Sequence, residues 1–191
     1  MSFSQHPLHR AFNELSPLPE ADFNRLLPLI SEQTFSTGDY LFRAGQYCRG
    51  VHYLLSGLTG TYQLLDGREM FRAFHTENDF ATDVAALSTQ APSEVSMRAL
   101  EDTRTVYIPR TDLLGMYEVS PAFQAVGRSL LEKLLVRQTK LTARQTTLSA
   151  RERYEQLLAE EPELLQRVAL QDLSTYLGMS RETLSRIRAK K

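Results

Sequence analysis

Arginine, glutamate and serine recur close together between Ser180 and Arg188, and side chains of these types can read the edge of a DNA base. Arginine can bond both O6 and N7 of guanine, and glutamate can accept from N4 of cytosine. From Ser180 to Lys191 five bases (Arg181, Arg186, Arg188, Lys190, Lys191) stand against one acid, Glu182, so this tip carries +4 in a chain whose net charge is −1. A basic tip on a near-neutral protein suits a polyanion. Ser180, Arg181, Glu182, Ser185, Arg186, Arg188, Lys190 and Lys191 are therefore the candidate DNA contacts. A solvated chain end would show the same charge, so the neighbouring pattern has to decide.

That pattern is Leu170 to Arg188, LQDLSTYLGMSRETLSRIR. A helix-turn-helix needs a small residue where two helices cross, a glycine to turn, and apolar residues that clamp the second helix. Ser174, Gly178 and the pair Leu184/Ile187 meet those needs, and Leu173 and Leu177 supply the inner face of the first helix. Ser180 is a suitable N-cap. Arg181, Glu182, Ser185 and Arg188 are left facing outward or sideways. A generic helical hairpin with a salt-bridged surface explains fewer of these coincidences than DNA binding does.

Upstream, Ala122 to Leu148 contains no proline and one glycine, Gly127. Leu134, Leu141 and Leu148 sit seven apart, with Leu130 one step off, which predicts a long amphipathic helix. These four leucines form a candidate dimer seam, although Arg137 and Arg144 fall on the same seam. Ser149-Ala150-Arg151-Glu152 is a capping-box pattern that restarts a helix and places a hinge near Ser149. The next helix is expected to reach Pro162, leaving three short helices in the last forty-odd residues.

Residues 31 to about 115 read differently. Gly38, Gly45, Gly50, Gly57, Gly60 and Gly67 punctuate short runs rich in Val, Tyr, Phe, Leu and Thr, which predicts an antiparallel sandwich or barrel. Asp66-Gly67 is a hairpin signal between Gly60–Leu65 and Arg68–Phe74. Met97–Ala99 and Thr105–Ile108 read as further strands. Residues 1 to 30 hold Pro7, Pro17, Pro19 and Pro28 and suggest two short helices, one starting at Pro19-Glu20.

With 191 residues, 42 % hydrophobic and 24 % charged, the chain reads as globular and soluble. Apolar runs are too short for a membrane span, and Met1 to Arg10 has no signal-peptide core. One cysteine, Cys48, excludes an internal disulfide and a cysteine-held iron–sulfur cluster within one chain. A cytoplasmic location is expected. His6, His9, His52 and His75 lack the His-x-His spacing of metal-dependent β-roll enzymes, and neither a phosphate loop nor a nucleophile elbow is present. His52 and His75 read as structural, and the polar cluster His75, Glu77, Asp79, Asp83 reads as a solvated turn. No enzyme activity, cofactor or metal is expected.

The stretch Met179-Ser180-Arg181-Glu182-Thr183-Leu184-Ser185-Arg186-Ile187 resembles the recognition helix of Crp/Fnr transcription regulators. The opening Phe35-Ser-Thr-Gly38-Asp-Tyr-Leu41-Phe42-Arg-Ala-Gly45, then Tyr53-Leu54-Leu55-Ser56-Gly57, resembles their cyclic-nucleotide-binding roll, and Ser120-Pro121 stands before the long helix as in that family. The short, wingless form resembles members common in Bacteroidetes. The resemblance spans about residues 10 to 188. It implies an α+β fold: an N-terminal double-stranded β-helix (jelly roll) with flanking helices over 1–120, a long dimerisation helix over 121–148, and a small all-α helix-turn-helix domain over 149–191. The sequence ends at Lys191, where many members add a β-hairpin wing, and only a short link, Glu160 to Val168, stands where many have a strand pair. Backbone contacts would then fall to Arg188, Lys190 and Lys191.

By the same resemblance the effector pocket would hold Thr82, Asp83, Ser93, Arg98, Gln138 and Thr139. Asp83 stands at the family's ribose-binding acid. The phosphate-binding arginine falls at Ser93 or Glu94, so cyclic nucleotide binding is not expected, unless Arg98 substitutes. The implied partners are double-stranded DNA, a second copy of the chain, RNA polymerase and an unidentified small-molecule effector, with no membrane. The alternative is a non-enzymatic small-ligand-binding module whose C-terminal domain mediates protein contacts.

Overall fold

The computed structural model describes residues 6–189. Two short helices, α1 (Pro7–Leu15) and α2 (Glu20–Leu26), open the described chain. Each starts where a proline supplies a preset φ and has no N–H to lose: Pro7 is the first residue of α1, and Pro19 immediately precedes α2.

Eight strands follow: β1 (Ser31–Phe35), β2 (Tyr40–Phe42), β3 (Gly50–Ser56), β4 (Thr59–Leu65), β5 (Arg68–His75), β6 (Phe80–Ala81), β7 (Ser96–Ala99) and β8 (Thr103–Pro109). They form two four-stranded antiparallel sheets, ordered β1-β8-β3-β6 and β2-β7-β4-β5. The roll between them closes on Phe42, Leu54 and Met97. The Asp66-Gly67 signal is a two-residue hairpin joining β4 to β5. Both residues have positive φ, +49° and +75°, as a turn matched to strand twist requires. A short helix, α3 (Val84–Thr89), crosses the roll, with the Asp83 carboxylate accepting from the N–H groups of Ala85 and Ala86.

α4 (Arg110–Val119) leads into α5 (Pro121–Thr147), 27 residues long and capped by Ser120. The first turns of α5 are part of the molecule's first core. Phe123 and Val126 pack there with Leu8, Phe12, Phe23 and Tyr53. The Ser149 capping box is present, with both reciprocal bonds to Glu152, and α5 and α6 (Ala150–Glu160) meet at extended Leu148. The described residues after Thr147 hold four helices rather than three. α6 is followed by a single turn, α7 (Leu164–Arg167), then α8 (Leu170–Tyr176) and α9 (Arg181–Ala189). Pro162 ends α6, and the chain regains one helical turn before α8, a segment too short for its periodicity to show in sequence.

The C-terminal helices do not hang free of the roll. β5 is a sheet edge, and α8 covers it. The Thr175 hydroxyl accepts from the Phe71 backbone N–H at 3.2 Å, which satisfies a donor that an edge strand otherwise leaves open. Phe71 and Phe74 of β5 share one core with Tyr154, Leu157, Tyr176 and Leu184. Arg167 clasps the two parts together. Its guanidinium makes paired bonds to Glu77 (2.9 and 3.0 Å) and to Glu101 (2.9 and 2.7 Å). Arg167 and the Gly57 N–H hold the Glu77 carboxyl down at about 2.

Candidate nucleic-acid interface and effector cavity

The helix-turn-helix is built as its residue types require. Gly178 has φ +63°, a left-handed conformation that a side chain rarely adopts, and it turns the chain between α8 and α9. Ser174 is buried where the two helices cross, Leu173 and Leu177 face inward, and Leu184 is fully buried. The Ser180 hydroxyl accepts from the Thr183 N–H at 3.2 Å, so its side chain is spent on capping α9. Arg181, Glu182, Ser185, Arg186 and Arg188 all lie exposed. Glu182 is held below the usual carboxylate range by its own backbone N–H and by Ser180. Arg153 ties this unit to α6, donating to the carbonyl of Gly178 at 3.2 Å. Lys190 and Lys191 lie outside the described residues.

Part of the leucine seam is engaged within the chain itself. Leu130 packs on the first core and Leu141 on the core shared by β5 and the C-terminal helices. Leu134 lines a cavity of this same chain, and Leu148 is half-buried at the end of α5. The two arginines on the seam also turn inward. Arg144, 6 % exposed, bonds Gln156 and Glu160. Arg137 donates to the Phe74 carbonyl at 2.9 Å, and its guanidinium lies 3.4 Å from Asp79 and 3.7 Å from Glu161. The apolar residues that α5 leaves exposed are Leu131, Leu135 and Val136, one helical step from the seam.

Between α5, β5 and α3 lies a cavity of about 670 Å³. Of the six residues expected there, Thr82, Asp83 and Gln138 line it. Ser93 is buried just behind, donating to Asp83 at 2.6 Å. Asp83 thus has its second oxygen on a hydroxyl, while its first caps α3. Arg98 is not in the wall. It makes two bonds to Glu69, at 3.0 and 2.8 Å, beside the Tyr62 ring, and this charge-assisted fork holds it away from the cavity. Thr139 is exposed and returns its hydroxyl to the Leu135 carbonyl.

The cavity also contains residues that sequence reasoning missed: Thr61, Ala73 and His75 from the β4–β5 hairpin, and Leu131, Arg137 and Leu141 from α5. One signal was available, since Leu134, Arg137, Gln138 and Leu141 share one helical face. His52 sits between Phe35 and Tyr107 and bonds Thr105, as a structural histidine does. His75 differs. It is 7 % exposed, its Nδ1 has no partner among the described residues, and burial first, then Arg137, pushes it down to about 4. The presumed solvated turn is therefore divided among separate tasks, with His75 in the cavity wall, Glu77 under Arg167, Asp79 beside Arg137 and Asp83 capping α3.

Residues 32–120 match the Cyclic nucleotide-binding domain family. No curated protein sequence matches the chain. Among solved structures, a transcriptional regulator assigned to the Crp/Fnr family from Eubacterium rectale is similar, with a TM-score of 0.74, 20 % identity, and coverage of 95 % of this chain and 87 % of that one. The c-di-GMP-responsive global regulator CLP of Xanthomonas campestris is similar at TM-score 0.70 and 23 % identity, covering 90 % of this chain and 91 % of its own. FixK2 from Bradyrhizobium japonicum is similar at TM-score 0.70 and 21 % identity, with 84 % and 83 % covered. Among the described residues no helix is long and apolar enough to cross a membrane. The roll thus matches the model of the Cyclic nucleotide-binding domain over residues 32–120, and the chain shares its fold with these solved regulators.

Proposed function

We propose that this chain is a homodimeric, sequence-specific DNA-binding transcription regulator, acting in the cytoplasm. The observation that carries the reading is α9. Its buried side holds Leu184 against α8, while Glu182, Ser185 and Arg186 on the far side, and Arg181 and Arg188 on the flanks, are exposed to solvent. A helix clamped from behind with a donor-rich front can enter a major groove. The domain limits that go with this reading are 1–120 for the sensor roll, 121–148 for the long helix and 149–191 for the DNA-reading unit, with Lys190 and Lys191 as added phosphate contacts.

Dimerisation is assigned to α5, through the exposed ridge Leu131, Leu135 and Val136. A two-fold pair of long helices would set two α9 helices on successive major grooves, about 34 Å apart, and would require a palindromic site. Contact with RNA polymerase belongs to the same reading. Catalysis is not part of it. Cyclic nucleotide is not the expected effector, because Ser93, whose hydroxyl donates to Asp83, stands where the resemblance places the phosphate-binding arginine. Genomic footprinting with the purified full chain tests the function. A palindromic consensus is expected, and protection without any consensus would contradict it. Light scattering tests the dimer: Leu135→Asp should give a monomer by placing an unpaired charge in an apolar seam. A wild-type chain that stays monomeric at all concentrations would contradict the pairing.

A further inference from the structure

The cavity under α5 has an apolar body and one polar corner. Val84, Val95, Leu131, Leu134 and Leu141 supply most of the wall. The corner is formed by Thr61, His75 and Arg137. Thr61 and His75 are 8 % and 7 % exposed, and neither Thr61 Oγ1 nor His75 Nδ1 has a hydrogen-bond partner among the described residues. Buried polar atoms are rarely left in this state, and a group that satisfies them gains what their desolvation costs. Arg137 adds one positive charge to the corner. One of its nitrogens donates to the Phe74 carbonyl at 2.9 Å, and its contacts to the Asp79 and Glu161 carboxylates are longer, 3.4 and 3.7 Å.

These features select a ligand by its chemistry. A carboxylate offers several acceptor sites on two oxygens and can take donors from a hydroxyl, a neutral imidazole and a guanidinium together. Two guanidiniums, Arg72 and Arg137, and one carboxylate, Asp83, line the cavity, so one negative charge on the ligand balances it and more would be opposed. The rest of the ligand has to be apolar to match the leucine and valine wall. Arg137 also touches a second element. Glu161 closes α6, in the C-terminal helices, so the guanidinium that meets the ligand also meets the DNA-reading half of the chain.

We propose that the cavity binds a small carboxylate with an apolar body at Thr61, His75 and Arg137, and that binding draws Arg137 away from Glu161. This deepens the regulator reading and rests on it for its biological sense, but its test needs no DNA. Octanoate, octanamide and cyclic AMP are titrated into the full-length protein by calorimetry. Octanoate should bind saturably, octanamide at least tenfold more weakly, and cyclic AMP should not compete. Arg137→Gln should weaken octanoate at least tenfold while leaving octanamide unchanged. Thr61→Val, which keeps the side-chain shape, should weaken octanoate severalfold and covers the case in which Arg137→Gln does not fold. Hydrogen exchange at the end of α6 and in α7 should quicken severalfold with octanoate. Absence of octanoate binding, equal binding of acid and amide, or unchanged exchange in those helices would overturn the proposal. Footprinting that failed while octanoate bound as described would overturn the regulator reading and not this site.

Discussion

The surface of α9 and the cavity under α5 are two unlike recognition surfaces. The first is convex, charged and assembled from nine consecutive residues. The second is concave, mostly apolar and assembled from a hairpin, a short helix and a long helix. On α9 the polar groups meet solvent, and the cap and the clamp account for the rest. In the cavity wall two polar atoms, Thr61 Oγ1 and His75 Nδ1, are buried with no hydrogen-bond partner among the described residues. The difference teaches that affinity for a polyanion can be carried by exposed charge, which water screens and salt weakens. Selectivity for a small molecule has to come from buried groups whose desolvation only the right partner offsets.

The comparison can be broken most forcefully at the shared core. Leu184 is fully buried between the two helices that form the convex surface. Leu184→Ala should lower unfolding stability by about 2–5 kcal/mol, read by urea denaturation. Specific DNA binding should fall with it, while octanoate binding to the cavity is retained. Loss of both together would mean that the two surfaces are not separable.

A smaller effect is expected at the clasp. Arg167→Ala removes four charge-assisted bonds, but the guanidinium is partly exposed and water replaces some of what is lost. A loss of about 1–2 kcal/mol is expected. The same clasp gives an acid dependence with a definite sign. Glu77 is held at about 2 against an ordinary 4.5, so its carboxylate contribution is full above about pH 5.5 and fades as pH falls from 4.5 toward 2. The protection factors of the α7 amides, exchange rates divided into the intrinsic rate at each pH, should therefore fall in that window. They should already be low and independent of pH in Arg167→Ala.

The smallest effect sharpens the comparison from the cavity side. Thr61→Val replaces an unpartnered buried hydroxyl with a methyl group of similar shape. Stability should hold or rise by up to about 1 kcal/mol, read as a higher melting temperature. A fall of more than about 1 kcal/mol would show that the hydroxyl has a partner in the folded chain.

Legibility in the sequence follows the same division. The helix-turn-helix was readable residue by residue, because its small residue, glycine, cap and clamp lie within one short stretch. The Asp66-Gly67 hairpin and the Ser149 capping box were readable for the same reason. The α5 leucines were legible as an apolar face but not as to what that face meets. A seven-residue stripe records that a face is apolar, but it does not say whether the partner is a second chain or the same one. Leu130 and Leu141 meet this chain's own cores, and Arg137 and Arg144 on that face were the sign of it. The cavity was half legible. Thr82 and Asp83 came through resemblance, but Arg98 was placed there wrongly, because nothing local in sequence shows that Glu69, 29 residues away, holds it. His75 was read as structural, because burial without a partner is a tertiary fact.

The central claim is that α9 reads bases, and one titration tests it most directly. Band shifts across a randomised half-site compare the wild type with Arg181→Ala and Arg188→Ala. Arg181, at the start of the helix, should lose about 1–3 kcal/mol and relax the preference at one guanine. Arg188, in the last turn, should weaken all sequences alike and flatten the salt dependence by about one unit of slope. Equal losses with an unchanged sequence preference in both variants would contradict the account and reduce α9 to an electrostatic anchor.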